Sequence, residues 1–329
     1  MPGMRLLVTG GAGYVGSVTV EVLIAAGHQV LVIDDLRTGH REAVHPAARF
    51  VQANVADEAA VRGALREHPC DALLHFAAAS LVGDSMRDPH GYFHNNVAGT
   101  LALLRAVSAE GLSRVVFSST AALYGTPERT PIPETAALVP ESVYGETKLQ
   151  IERALQWLAR TTELASVALR YFNAAGASAE RGEDHRPESH LIPIVLDVAV
   201  GARDAVEVFG DDYPTADGTA VRDYIHVLDL ADAHVRALGA LEPGHAKAYN
   251  LGNGAGASVA EVIEAVRDVT GREVPTRVGP RRAGDPPTLV ADASLAQREL
   301  GWRPGRPRLH DIVADAWRWR QAHPEGYAT

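Results

Sequence analysis

The chain has 329 residues, 46 % hydrophobic and 22 % charged, which are ordinary globular proportions and enough for about two domains of ~150 residues. A net charge of -10 argues against nucleic acid or an anionic membrane as the main partner, so an anionic ligand would need a local cluster of arginines. Cys70 is the only cysteine, which excludes an intrachain disulfide and a cysteine-type zinc site. The 14 histidines are scattered without His-Glu-x-x-His spacing, so no metal is expected. Leu6, Leu7 and Val8 follow Met1 almost at once and run into glycines, so no targeting segment is read and a cytoplasmic protein is expected.

Residues 4–8 read as a strand ending in Thr9-Gly10-Gly11-Ala12-Gly13-Tyr14-Val15-Gly16, and residues 18–26 read as a helix. Strand, glycine turn and helix is the setting of a dinucleotide site. Gly10, Gly13 and Gly16 recur every third residue, while Gly11, Gly13 and Gly16 fit Gly-x-Gly-x-x-Gly. Such glycines permit a tight turn, close approach of a pyrophosphate and close packing of helix on sheet, with the helix N-terminus facing the anion. Tyr14 and Val15 lie inside the motif. A second strand, 29–33, ends in Asp34-Asp35. A carboxylate about 20 residues after the glycines bonds the adenosine ribose and repels a 2'-phosphate, which favours NAD over NADP. Arg37 stands close enough to temper that preference.

The alternation continues with strand 49–52, helix 58–67, strand 72–75, helix 96–108 and strand 114–118. This rhythm predicts an α/β fold with a doubly wound parallel sheet of Rossmann type, covered by helices on both faces. Ligands of such sheets bind beyond the carboxyl ends of the strands. The candidates therefore follow each apolar run: Gly10 to Gly16, Asp34, Asn54 with Val55, Phe76-Ala77-Ala78, and Ser118-Ser119-Thr120.

A helix over 142–158 carries Tyr144-Gly145-Glu146-Thr147-Lys148, and a sixth strand follows at 165–169. Residues four apart share a helix face, so the Tyr144 phenol and the Lys148 ammonium can reach one point. A phenol working as a base near neutrality needs its pKa lowered by ~2 to 3 units from ~10. Burial opposes this, whereas one cation ~5 Å away at an effective dielectric of ~20 supplies about 3 kcal/mol in its favour. Of the 31 basic residues only Lys148 and Lys247 are lysines, so Lys148 reads as chosen for a compact ammonium that can also bond a ribose hydroxyl. Ser118, Ser119 and Thr120 place hydroxyls at the end of the fifth strand, and a hydroxyl opposite a phenolate suits proton relay at a sugar or alcohol oxygen. Beyond Asn173 the chain turns to loops rich in Gly, Pro and charge, with helices at 190–200 and 258–270. The expected division is an NAD-binding domain over 1–172 and a smaller α/β substrate-binding domain over 173–329, with part of 221–240 open to rejoining the first sheet. The last helix, 309–322, carries Trp317 and Trp319 and reads as packing.

These motifs resemble the extended short-chain dehydrogenase/reductases, and within them the UDP-glucose (UDP-galactose) 4-epimerases. The resemblance runs nearly end to end. It covers Gly10 to Gly16, His75 to Ala78, Asn95-Asn96-Val97, Ser118 to Thr120, Tyr144 to Lys148 and Leu169 to Asn173. Three further runs, Phe209 to Thr215, Val221 to Val227 and Pro280 to Asp285, point to the epimerase branch. The resemblance implies that Asp34, Asn95, Tyr144 and Lys148 hold NAD, with Phe172 beside them, and that Tyr144 is also the base. It implies that Thr120 bonds the sugar's 4-hydroxyl, that Asn173, Arg222 and Arg282 bind the diphosphate, that Phe209 packs on uracil and that Asp285 takes the uridine ribose. His190, Leu191, Val208 and Leu289 complete the implied substrate set, and a homodimer through helices 96–108 and 142–158 is implied as well. The chain departs from many relatives at Thr120, where they have Ser, at Asn54, where an Asp often contacts adenine, and at Ser80, where some carry Lys. Leu289 stands where side-chain size bears on whether an N-acetyl group fits.

The expected chemistry is interconversion of UDP-glucose and UDP-galactose by transient oxidation at carbon 4. The alternatives are 4-epimerisation of another UDP-sugar, or a non-catalytic NAD-sensing protein of the same fold. A 4,6-dehydratase would place an Asp-Glu pair after Thr120, where this chain has Ala121-Ala122.

Overall fold

The computed structural model describes residues 3–282 and 284–327. Met1, and Ala283 of the Pro280 to Asp285 run, lie outside them. β1 (Arg5–Thr9) turns through the glycines into α1 (Tyr14–Ala25), followed by β2 (Gln29–Asp34), β3 (Arg49–Gln52), α2 (Glu58–Glu67) and β4 (Ala72–His75). A broken helical stretch, α3 (Val82–Arg87), α4 (Pro89–Tyr92), a π turn (Phe93–Ala98) and α5 (Gly99–Ala109), precedes β5 (Arg114–Thr120), α6 (Val143–Thr161) and β6 (Ala165–Tyr171). The chain then leaves the sheet for β7 (Asn173–Ala175), α7 (Leu191–Ala199), β8 (Val206–Phe209), β9 (Val221–Arg222), β10 (Tyr224–His226) and α8 (Val227–Ala237). It returns with β11 (Ala246–Leu251) and ends in β12 (Ala257–Ser258), α9 (Val259–Thr270), β13 (Thr276–Gly279), β14 (Thr288–Leu289), α10 (Ser294–Glu299) and α11 (Leu309–Ala322).

The main sheet is parallel throughout, in the order β11-β6-β5-β4-β1-β2-β3. Alternation along each strand splits its apolar residues between two cores. Leu6 and Val8 pack with Leu23, Leu74 and Leu230 on one face, and Leu7 packs with Leu73, Leu103 and Ile151 on the other. The chain direction across the sheet reverses between β1 and β4, and the carboxyl ends of those two strands open the crevice that this topology reserves for a ligand. A third core, built on Ile192, Val195, Val262 and Ile312 of α7, α9 and α11, belongs to the part outside the sheet.

Two details differ from the sequence reading. α1 begins at Tyr14 rather than Val18, because Gly13 takes the extended N-cap conformation and the helix starts inside the glycine motif. Within 221–240, α8 packs against α1, whereas the strand that extends the sheet is β11, whose Tyr249 and Leu251 are buried beside β6. Lys247 and Asn250, one on each face, break its apolar alternation and disguise it as a polar segment.

α6 is fixed at both ends. The Ser142 hydroxyl accepts from Gly145 N at 3.1 Å, capping the helix start. Further along, Glu152 pairs with Arg170 of β6, each 3 % exposed, and Glu152 also accepts from the Ser119 hydroxyl of β5. Arg170 Nη1 donates to the Tyr124 hydroxyl at 3.0 Å, and that hydroxyl donates to Asn250 Oδ1 at 2.6 Å. One buried network thus ties α6 to three strands. Removing one member leaves a buried charge without its partner, so Glu152→Ala is expected to lower unfolding free energy by ~3–5 kcal/mol in urea titrations; a loss under about 1 kcal/mol, the ordinary worth of an exposed pair, would contradict the role given to this network.

Candidate active site

A cleft of about 430 Å³ runs along the carboxyl ends of the strands. Every residue expected to bind cofactor lines it: Gly10, Gly13, Tyr14, Val15, Gly16, Asp34, Asn54, Val55, Phe76, Ala77, Ala78, Asn95, Ser118, Tyr144, Lys148 and Phe172. The glycines serve different ends. A Cβ on Gly10, which sits at φ +75°, would meet Ala77 N at 2.5 Å, and one on Gly16 would meet Gly10 O at 2.1 Å, so both are required by the fold. A Cβ on Gly13 would meet only Gly10 O, at an ordinary 3.4 Å. The fold does not require glycine at 13, and the bare backbone there leaves room for close approach of a ligand.

Asp34 is buried at the tip of β2, accepting from Ala12 N at 3.0 Å and from Leu36 N at 2.9 Å. Each carboxylate oxygen keeps acceptor capacity for a diol. Burial lifts its pKa above the usual carboxylate value, against the pull of those two amides. Arg37 does not reach back to Asp34: its Nη2 donates to Asn95 Oδ1 at 2.7 Å across the cleft mouth. Asn54 donates to Asp35 Oδ2 at 2.8 Å, and Ser80 also lines the cleft. The π turn sends consecutive asparagines in two directions, a use of π geometry common at functional sites. Asn95 faces the cleft, while buried Asn96 donates to Ala79 O and Thr147 Oγ1, pinning α6 to the loop after β4.

Tyr144, Lys148 and Thr120 face the same cleft. Lys148 Nζ donates to Ser118 O at 2.9 Å and lies 4.9 Å from the Phe117 ring centre and 5.9 Å from that of Tyr144. In this ligand-free site burial prevails over charge pairing. Burial pushes the Lys148 ammonium down to about 7, with Glu152 opposing, and pushes the Tyr144 phenol well above its ordinary value. Nearby Tyr171 adds to the phenol's rise and the Thr120 hydroxyl offsets part of it. The cation expected to make the phenol acidic is itself partly discharged, because the same enclosure acts on both. His75 beneath them is neutral, lowered to about 3 by burial and by Lys148, and bonds the hydroxyls of Thr9 and Thr100.

The substrate candidates divide. Thr120, Tyr144, Asn173, His190, Arg222 and Leu289 line the cleft, whereas Leu191, Val208, Phe209, Arg282 and Asp285 are not among its lining residues. The Val208 side chain is buried in the third core, which leaves its backbone to a ligand, and Leu191 packs on the same core. Arg222 is paired with Asp285, and the Arg282 guanidinium lies 4.0 Å over the Phe209 ring. The cationic and aromatic groups expected at a nucleotide are thus brought together and satisfy one another here. Glu183 and His185, which the sequence reading passed over, also line the cleft. Burial pushes Glu183 up, but His190 and His185 outweigh it and hold the carboxyl at about 2. The spacing Glu-x-His-x-x-Glu-x-His over 183–190 was the signal available for them.

A glycine turn at a helix start, a buried acid at the next strand end and a tyrosine-lysine pair on one helix define a dinucleotide-dependent protein acting on a hydroxyl or carbonyl. Residues 6–252 match the model of the NAD dependent epimerase/dehydratase family, and the chain belongs to that family. It is 49 % identical over 327 residues to the UDP-glucose 4-epimerase of Lacticaseibacillus casei, across 98 % of this chain and 99 % of that one. A crystal structure of a UDP-glucose 4-epimerase superposes with a TM-score of 0.96 at 46 % identity, covering 99 % and 100 % of the two chains. The Brucella ovis UDP-glucose 4-epimerase in complex with NAD superposes with a TM-score of 0.92 at 44 % identity, covering 95 % and 97 %.

The two kinds of glycine are separable by experiment. Gly13→Ala is expected to keep the thermal midpoint of the ligand-free protein while weakening NAD binding at least ~10-fold, about 1.4 kcal/mol. Gly16→Ala is expected to lower the midpoint itself. Equal NAD affinity in Gly13→Ala and wild-type protein, by calorimetry, would remove the pyrophosphate from this turn.

Proposed function

We propose that the protein interconverts UDP-glucose and UDP-galactose by NAD-dependent oxidation at carbon 4 and return of hydride without facial preference. One observation carries the reading: Tyr144, Lys148 and Thr120 face the same cleft as Gly13 and Asp34, so a hydroxyl base and a dinucleotide cradle share one space. Bound NAD supplies the acceptor and donor for the hydride of carbon 4. Asp34 holds the adenosine ribose, and the backbone at Gly13 admits the pyrophosphate. Lys148 Nζ, free to exchange its bond to Ser118 O, takes a ribose hydroxyl and supplies positive charge beside the phenol. Tyr144 Oη takes the proton of the 4-hydroxyl and returns it to the same oxygen after the sugar turns over, while the Thr120 hydroxyl steers that oxygen. Asn173, Arg222 and Arg282 grip the diphosphate, with Phe209 and Asp285 on the uridine; Arg222 is released from Asp285 when the nucleotide enters. Binding energy placed on UDP leaves the hexose free to rotate, as presentation of either face requires.

Dehydration is disfavoured because Ala121 and Ala122, and not an acid pair, follow Thr120. Residues 1–172 act as the NAD-binding part and 173–329 as the nucleotide-sugar part, with α8 and β11 returned to the first. Among the described residues no helix is long and apolar enough to cross a membrane, and the partner in this reading is the UDP-hexose substrate. A homodimer is supported by Leu101 of α5 and Trp157 of α6, which are 45 % and 63 % exposed on the two helices named for that contact.

Tyr144→Phe is expected to lower kcat for UDP-galactose by ~10²–10⁴-fold with bound NAD retained. Turnover within a factor of about 2 of wild type would withdraw Tyr144 as the base. Offering UDP-galactose and UDP-N-acetylgalactosamine side by side reads the width of the pocket at Leu289.

A further inference from the structure

The loop between β7 and α7 brings four donor atoms together, and three of them, on Glu183, His185 and Glu188, have no role in the substrate reading. Glu183, His185, Glu188 and His190 each offer one ligand atom, and these atoms all lie within 4.8 Å of one another. His190 Nδ1 stands 2.7 Å from Glu183 Oε1 and 3.3 Å from Glu188 Oε1, and His185 Nδ1 stands 3.1 Å from Glu183 Oε1 and 3.8 Å from Glu188 Oε2. A tetrahedral zinc ion with bonds of ~2.1 Å sets its donors ~3.4 Å apart, a spacing compatible with one donor from each of the four residues lying within 4.8 Å of the others.

Charge pairing holds the cluster together, with Glu183 kept ionised by the two histidines, yet two of its donor atoms are not aligned on a partner. The Glu183 side chain is 7 % exposed, yet its Oε1 makes no hydrogen bond, and neither does His185 Nδ1. Both atoms are close to partners without the alignment of a donor and an acceptor. Lone pairs directed at a common centre give that pattern, since ligands point at the ion and not at each other. Buried polar atoms left without partners are rare and call for an unseen group. The surroundings also hold the ligands in place. Glu188 Oε1 accepts from Ser189 N at 2.7 Å and His190 N at 2.8 Å, which fixes the carboxylate. The His185 ring stands edge-on to Tyr14, 6.3 Å between centres, and the Tyr14 hydroxyl donates to Gly176 O at 2.6 Å.

We propose that Glu183, His185, Glu188 and His190 form a binding site for a divalent transition-metal ion, zinc by preference, which pins the loop before α7 to the glycine-turn residue Tyr14 at the edge of the cleft. Two imidazoles and two carboxylates are a borderline donor set suited to zinc, and four protein ligands mark a structural rather than a catalytic ion. The site is local to eight residues and contains no cysteine, so it needs neither the lone thiol nor a second chain.

The test uses the full chain, stripped with chelator, desalted, and offered ZnCl₂ alone. One equivalent of zinc per chain is expected to survive gel filtration, and CoCl₂ in its place is expected to give the intense visible bands of a tetrahedral site. His185→Ala and His190→Ala, checked for folding by far-ultraviolet circular dichroism, are each expected to weaken zinc binding on the order of 100-fold. Wild-type protein that retains no zinc, or variants that retain as much as wild type, would overturn the proposal and leave an ion-pair cluster only. A second readout needs no variant. Chelator is expected to lower the wild-type thermal midpoint and zinc to restore it, whereas a midpoint indifferent to both contradicts a structural ion.

Discussion

Enclosing a phenol and an ammonium on one face of α6 is the constraint on which this protein turns. Each group loses hydration, and desolvation acts on the two in opposite directions, keeping the phenol protonated and stripping the proton from the amine. Lys148 at about 7 and a Tyr144 well above its ordinary value are two readings of one cause. The pairing by charge that a four-residue spacing offers and the enclosure that the fold imposes therefore act against each other at this pair.

The fold serves that enclosure. α6 can hold both groups against β5 only if its register is fixed, and the Glu152–Arg170–Tyr124–Asn250 network fixes it from below while Asn96 and the Ser142 cap fix it from the sides and start. The sheet order that reverses between β1 and β4 supplies the crevice, and the glycine turn brings backbone rather than side chain to its wall. Strand ends, helix start and helix face thus converge on one space from residues spread over most of the chain.

Much of this was legible in the sequence, because it rests on local rules. Alternating apolar runs gave six of the seven sheet strands within a few residues, and residue types at strand ends gave the cofactor wall. What escaped had non-local causes. β11 is an edge strand whose Lys247 and Asn250 mask its period, and only pairing with β6 makes it a strand. That the Val208 side chain faces the third core was not legible either, since strand parity cannot be fixed without knowing which side is filled. The sign of the Tyr144 shift was also out of reach: Coulomb attraction can be drawn from a four-residue spacing, whereas the depth of burial that opposes it cannot. Glu183 and His185 were visible as a spacing, and only convergence in space gives that spacing meaning.

With two lysines in the chain, the charge state of Lys148 is open to direct measurement. Nuclear magnetic resonance of lysine labelled at the side-chain terminus shows two signals, and Lys247→Arg assigns them. A base whose folded pKa lies below its unfolded value binds fewer protons when folded, so between about 7 and 10.5 the ligand-free protein gains stability from this group as pH rises. The account predicts that the Lys148 signal titrates near 7 in the ligand-free protein and moves upward once NAD is bound. Titration at the ordinary amine value of 10.5 without ligand would contradict it, and the phenol would then need nothing from the ligand to become a base.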